Sequence, residues 1–196
     1  MGRPKALLTL PSDGATFVER LVRVMLAGGA ADVLVVARPG DDGLDAEVQR
    51  LAGDGCAVRL VENAHADRGQ LSSVVVGVNA ADHPGVRGVI VTPVDSPLVG
   101  AATVREMLTV FDTRQAPVVR ASYRGRHGHP VIFSRRVFDS LRHADPAIGA
   151  KAVVHAHAGE LIDVEFDNPG VVMDADNPDD YARILNDRGD ESAPSS

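Results

Sequence analysis

The segment Thr92-Pro93-Val94-Asp95-Ser96-Pro97 follows the apolar run Gly88-Val89-Ile90-Val91. That order places Asp95 just past the C-terminal end of a strand, the edge at which open α/β sheets bind ligands. A carboxylate there can hold Mg²⁺ against phosphate oxygens, or it can cap a helix after Pro97 or fix a turn. A second acidic group, Asp174-Ala175-Asp176-Asn177-Pro178, follows another short apolar run, Val171-Val172-Met173, read as a strand. If that strand continues, Asp174 and Asp176 project on one side. The alternative is a helix start whose acids are favoured by the helix dipole. Gly69-Gln70-Leu71-Ser72-Ser73 enters an apolar helical segment. Its glycine permits close backbone approach, and its hydroxyls and N–H groups could meet a base or a phosphate, or simply form a serine cap. Arg3 and Lys5 could neutralise phosphate, or be solvated terminal charges. His127 and His129 are spaced to align on an extended segment, but no third metal ligand is evident beside them. His155 and His157 lie in a helix-like stretch, where residues two apart diverge. Cys56, the single cysteine, has no evident activating base and reads as a packed or idle thiol.

Positioning these residues needs a rigid frame, and the sequence alternates short β-branched runs with helical segments. Val33 to Ala37, Ala57 to Val61 and Gly88 to Thr92 read as strands. The first and third are apolar almost throughout, as parallel strands covered on both faces are. Phe17 to Ala27, Leu44 to Ala52 and Leu71 to Ala81 carry apolar residues three and four apart and read as crossover helices. This rhythm predicts a wound α/β sheet. After Pro117, Val118 to Ser122 and Pro130 to Phe133 flank a glycine-bearing, charged stretch that suits a hairpin. Helices near Arg135 to Leu141 and Ile148 to Ala156, a strand near Leu161 to Phe166 and a last helix opened by Asn177-Pro178 complete the order.

Composition bounds what such a fold can do. The chain has 196 residues, 44% of them hydrophobic, enough for one core; a single domain is expected over residues 1–187, with the polar residues 188–196 disordered. A net charge of -7, with dispersed basic residues, argues against a nucleic-acid binder, which needs a phosphate-neutralising face. No apolar run approaches the roughly 20 residues needed to cross a bilayer. No secretory segment opens the sequence and no cysteine pair exists, which fits a cytoplasmic protein.

Six short blocks, in order, resemble the MobA-like NTP transferase family, which attaches a nucleotide to molybdopterin, and especially its molybdenum cofactor cytidylyltransferases. They are Met1-Gly2-Arg3-Pro4-Lys5-Ala6-Leu7-Leu8, Gly69 through Ser73 with Gly77, Val94-Asp95-Ser96-Pro97, Gly128-His129-Pro130-Val131, Ile148-Gly149-Ala150-Lys151 and Asp174 through Tyr181. Each is weak alone; six in sequence order span nearly the whole chain. The resemblance implies a Rossmann-like fold with a mixed, mostly parallel sheet flanked by helices. It implies attack of a phosphate monoester on the α-phosphorus of a nucleoside triphosphate, releasing pyrophosphate. By carry-over Asp95 and Asp174, with Asp176 beside them, would hold Mg²⁺. Arg3 and Lys5 would meet the triphosphate, Gly69 and Ser73 would line the nucleotide pocket, and Gly128, His129 and Pro130 would face a molybdopterin-like acceptor. The run around Ser73 favours CTP over GTP, and a molybdoenzyme would be a partner of such a protein.

One departure from the family pattern bears on the fold. Family members begin with an apolar strand and a loop of the type Leu-Ala-Ala-Gly-x-Ser-x-Arg, and neither lies before Met1 in this sequence. That strand is interior. Adjacent strands lie about 4.8 Å apart, so without it two neighbours face each other unpaired across a gap. Buried unpaired backbone groups cost on the order of 1–3 kcal/mol each. The reading is therefore that Met1 is internal to a longer natural protein. Two other readings are a binding or chaperone-like module that keeps the acceptor pocket without the triphosphate loop, and a relative recruited as a small-molecule oxidoreductase. No Gly-x-Gly-x-x-Gly fingerprint supports the second of these.

Overall fold

The computed structural model describes residues 4–10 and 14–175. The chain enters through a 3₁₀ turn, Lys5–Leu7, and Thr9 bridges Thr16 before helix α1, Phe17–Gly28. Thr16 caps α1 by accepting from the Glu19 backbone N–H at 3.1 Å, the threonine–glutamate spacing of a capping box. The same hydroxyl donates to Glu47 at 2.7 Å, tying α1 to the second helix. Strand β1 (Val33–Ala37), helix α2 (Asp42–Gly53) and strand β2 (Val58–Glu62) follow, with β1 and β2 paired in parallel from Val33↔Val58 to Ala37↔Glu62. A strand–helix–strand unit whose apolar helix face lies on the sheet gives this parallel pairing.

Helix α3 (Gln70–Ala81) packs over β1, β2 and the next strand, β3 (Gly88–Val91). Helix α4 (Ala101–Arg114) leads to β4 (Val118–Tyr123) and β5 (Arg126–Ser134), an antiparallel hairpin of the kind the glycine-bearing stretch predicts. Short helices α5 (Phe138–Arg142) and α6 (Lys151–Ala156) precede strand β6, Ile162–Glu165. The order in the second sheet is β3-β5-β4-β6, with β4 and β6 parallel and the other two pairs antiparallel. Alternation along β5 sends Val131 and Phe133 into one cluster with Val78 of α3, Phe138 and Leu141 of α5 and Val153 of α6. Ile132 goes into another with Met107 and Phe111 of α4. Both faces are thus covered, which makes the fold a mixed α/β layer structure.

Between β1 and β3 the sheet is divided. Among the described strands β1 is laddered only to β2 and β3 only to β5. Val33 and Ile90 meet instead through Leu21, Met25, Val99 and Val104, which share one buried cluster with them.

Two sequence expectations are corrected. Val171–Met173 is not a strand: Pro169–Val172 forms a 3₁₀ turn, opened by Asn168 accepting from the Gly170 N–H at 2.9 Å, and proline at its start blocks a ladder. Helix α4 has Gly100 as its cap residue with no side-chain cap bond, which sets aside the alternative in which Asp95 caps it. The expected final helix and tail lie outside the described residues.

Candidate active site

The site begins where β3 ends. Helix α3 starts at Gln70, finishes at Ala81, and a six-residue connection returns the chain into β3. The C-terminal end of β3 and the N-terminus of α3 therefore lie at one end of the domain. The loop after Val91 carries Asp95 with its side chain 23% exposed, and Lys5 Nζ lies 3.3 Å from its Oδ2. The Asp95 backbone carbonyl accepts from the Ala175 N–H at 2.7 Å, which pins the segment around Asp174 to this loop. Ser96, only 1% exposed, donates its hydroxyl proton to Asp174 Oδ1 at 2.7 Å. Asp95 and Asp174, 79 positions apart in sequence, are thus held side by side by two bonds between adjacent residues, Asp95 to Ala175 and Ser96 to Asp174.

The turn that carries Asp174 is seated by two glycines. A Cβ on Gly128 would lie 1.9 Å from the Val171 carbonyl oxygen, and a Cβ on Gly170 would lie 2.8 Å from the Leu98 carbonyl oxygen. Only hydrogens fit at both contacts.

His129 reaches the same place by a ladder irregularity. Arg120 pairs with Val131 and Ser122 with His127, so β5 spends four residues where β4 spends two. Extra residues of this kind bend a strand and re-aim its side chains. The imidazole is largely buried, and its Nδ1 has no hydrogen-bond partner among the described residues. Burial holds its pKa below the ordinary histidine value, against the opposing charges of Asp174 and Asp95 and a backbone hydrogen bond at Val91. A group that is neutral in the fold but protonates freely when unfolded stabilises the fold fully above its unfolded pKa. That contribution is lost as pH falls below about 6.5 toward the lower folded value. Without metal or nucleotide, thermal unfolding followed from pH 7.5 to pH 5 should show stability falling with acidification, and His129→Gln should flatten the fall. An unchanged slope in that variant would refute this assignment.

At the same end of the domain stands the start of α3. Gly69 caps the helix at φ 90°, ψ 180°, a conformation essentially reserved for glycine. No side-chain cap bond is made, so Ser72 and Ser73 are not an ordinary serine cap. Asn63, 1% exposed just after β2, organises them instead, donating from Nδ2 to Ser72 Oγ at 2.8 Å and to Ser73 Oγ at 3.0 Å. Sequence reasoning missed Asn63, because a lone asparagine after a strand gives no sign of partners nine and ten residues on.

The remaining sequence candidates are distributed as follows. Lys5, Asp95, Asp174, Gly128 and His129 are brought together, Pro130 follows His129 through a cis peptide bond, and Gly69 and Ser73 lie at the same end. Arg3 and Asp176 lie outside the described residues. His127 does not converge with His129; its Nε2 lies 3.5 Å from Asp163, which also holds Arg120. His157 pairs with Glu160, and Cys56 packs beside α2 as a free thiol. Two clefts, of about 280 and 450 Å³, lie at the opposite end around Gln115 and Arg136.

Two carboxylates, a lysine and a glycine-led helix start thus lie at the C-terminal edge of an α/β sheet. The chain matches the MobA-like NTP transferase domain over residues 1–161 and belongs to that family. Among solved structures it is similar to Rv0371c from Mycobacterium tuberculosis H37Rv, at 27% identity and TM-score 0.76, covering 95% of this chain and 91% of that one. A manganese complex of Rv0371c matches at 28% identity and TM-score 0.73, covering 94% and 93%. A nucleotidyl transferase from Methanothermobacter thermautotroptrophicus matches at 26% identity and TM-score 0.73, covering 93% and 84%. No curated protein sequence matches the chain. No helix among the described residues is long and apolar enough to cross a membrane.

Proposed function

We propose that the protein is a cytoplasmic, Mg²⁺-dependent nucleotidyltransferase that transfers CMP from CTP to molybdopterin or a related phosphorylated acceptor. The observation that carries this reading is the convergence of Lys5, Asp95 and Asp174 at the end of the domain where α3 starts. An acceptor phosphate oxygen forms a bond to the α-phosphorus, the bond from that phosphorus to the bridging oxygen breaks, and pyrophosphate leaves. Catalysis of this type is mostly positioning and charge neutralisation.

The donor set fits a divalent cation. Among the described residues no cluster of three or more histidine, cysteine or acidic side chains could hold a metal alone. Mg²⁺ is usually bound by one or two carboxylates together with substrate phosphates and waters, and Asp95 and Asp174 supply that number. Asp176 would add to them. That Rv0371c, similar to this chain at 28% identity, is known as a manganese complex supports a divalent ion here. When bound, the ion supplies positive charge to the triphosphate oxygens.

The chain's own groups do the rest. Lys5, which neutralises Asp95 at 3.3 Å, turns its ammonium to the phosphates, and Arg3 adds charge. Gly69 and Ser73 contact the nucleotide. Ser96 holds the Asp174 carboxylate in one rotamer. Gly128, His129 and Pro130 form the acceptor side. Delivery of the product to a molybdoenzyme would follow.

The full chain is incubated with Mg²⁺, molybdopterin and each of CTP, GTP, ATP and UTP in turn, and pyrophosphate is followed. Release with CTP above GTP is expected; no release with any triphosphate would overturn the proposal.

A further inference from the structure

We propose that Asn63 is a positioning residue that sets the base preference of the nucleotide pocket by fixing which way the Ser73 hydroxyl points. The inference rests on the reading above, in which Ser73 meets the nucleotide.

The direction of every hydrogen bond around Asn63 is determined. Its Oδ1 accepts from the His65 backbone N–H at 2.9 Å, so Oδ1 cannot be exchanged with Nδ2 without setting two donors against each other. The two Nδ2 protons then go to Ser72 Oγ and Ser73 Oγ. Both hydroxyl oxygens are acceptors towards Asn63, and each serine keeps one proton to give. Ser72 gives its proton inward, to the Gly69 carbonyl at 2.7 Å or the His65 carbonyl at 3.0 Å. Ser73 has no such acceptor among the described residues. Its proton is therefore available to a ligand, and the half-buried hydroxyl acts there as a donor.

The asparagine itself is rigid. It is 1% exposed, and its backbone N–H donates to the Ala37 carbonyl at 2.7 Å, locking it between the ends of β1 and β2. A hydroxyl held as a donor selects a base edge that presents acceptors. Cytosine offers adjacent N3 and O2 acceptors where guanine presents N1–H and its 2-amino group as donors, guanine's own acceptors, O6 and N7, lying on the other part of its rim and cytosine's donor being its 4-amino group. A site built around one polarity of hydrogen bond rejects the opposite polarity, because the mismatched groups are left unpaired.

Asn63→Asp reverses the relay with almost no change in shape. A carboxylate still accepts from the His65 N–H but gives nothing to Ser73, whose proton turns back towards residue 63 and leaves lone pairs facing the ligand. The dissociation constants of CTP and GTP are measured by calorimetry with Mg²⁺ on the full chain, for wild type, Asn63→Asp, Ser73→Ala and the double variant. Any repulsion of the triphosphate by the new carboxylate is common to both nucleotides and cancels in their ratio. The expected result is a fall of about tenfold or more in the preference for CTP over GTP in Asn63→Asp, a comparable fall in Ser73→Ala, and no further change when the two are combined. Ser73→Ala leaves the buried asparagine in place, so it tests the donor even if Asn63→Asp unfolds. Equal weakening of both nucleotides in the single variants would make Asn63 merely structural and overturn the inference. An undiminished Asn63→Asp effect in the Ser73→Ala background would overturn it too. A wild type that binds neither nucleotide would remove the functional reading and this inference with it, a result distinct from either.

Discussion

Asp95→Ala is expected to lower pyrophosphate release by about a thousandfold or more while leaving the thermal unfolding midpoint nearly unchanged. The size of the activity loss follows from charge. In the proposed mechanism Asp95 holds the divalent ion, so its removal leaves the developing negative charge on the triphosphate without its main counter-charge, and electrostatic groups of this kind carry several kcal/mol of barrier lowering. The small stability effect follows from what the side chain touches. Its ion pair with Lys5 spans 3.3 Å between partners 35% and 23% exposed, and pairs of that kind are worth about 0–1 kcal/mol. The structural bond at this position is made by the backbone carbonyl, which accepts from Ala175 and survives truncation.

Asp174→Ala provides the contrast. It should abolish transfer as fully and also destabilise the fold, because the Ser96 hydroxyl, 1% exposed, loses its acceptor. An unsatisfied buried hydroxyl costs about 1–3 kcal/mol. Pyrophosphate release and thermal unfolding on both variants test the pair. Asp95→Ala retaining more than a tenth of wild-type activity would remove that carboxylate from the catalytic centre.

The elements that hold these carboxylates were legible in the sequence where their signal is local. Val33 to Ala37 is a strand with the boundaries its apolar run indicates, and Phe17, Leu21, Val22 and Met25 keep the helical spacing that buries one face of α1. The signal failed where distant packing decides. Val171 and Val172 are β-branched and read as strand, yet Pro169 and the fit of Gly170 against Leu98 draw them into a 3₁₀ turn. Asp95 and Asp174 stand out as carboxylates after apolar runs, but no periodicity places them together; only the order of family motifs suggests it. His129 is similar, because the two extra residues of β5 that re-aim it leave no mark in the spacing of the histidines. Asn63 was wholly illegible, since its importance lies in the direction of bonds to residues on another element.

Gly128→Ala should be the most damaging conservative substitution in the described chain. Its added Cβ would lie 1.9 Å from the Val171 carbonyl oxygen and 2.7 Å from the carbonyl carbon, contacts with backbone that no rotamer change relieves. Either β5 or the turn at Pro169–Val172 must move by more than an ångström, and the turn is held from its other side by Gly170 against Leu98. Overpacking of this severity costs on the order of 3 kcal/mol, which for a domain of this size lowers the unfolding midpoint by roughly 6–12 °C. The activity loss should exceed what instability explains. The displaced turn runs through Met173 into Asp174, so the carboxylate proposed as a metal ligand shifts relative to Asp95, and a 1 Å misplacement alone can cost about a hundredfold. Gly159→Ala is the matched control, because its Cβ meets nothing within 4 Å and its stability should stay within about 0.5 kcal/mol of wild type. The comparison is made at a temperature where both variants remain folded, with unfolding midpoint and pyrophosphate release read on the same preparations. Gly128→Ala with the wild-type midpoint would show that β5 and the turn do not meet as described. A lowered midpoint with full activity in the folded fraction would show that the turn does not position Asp174.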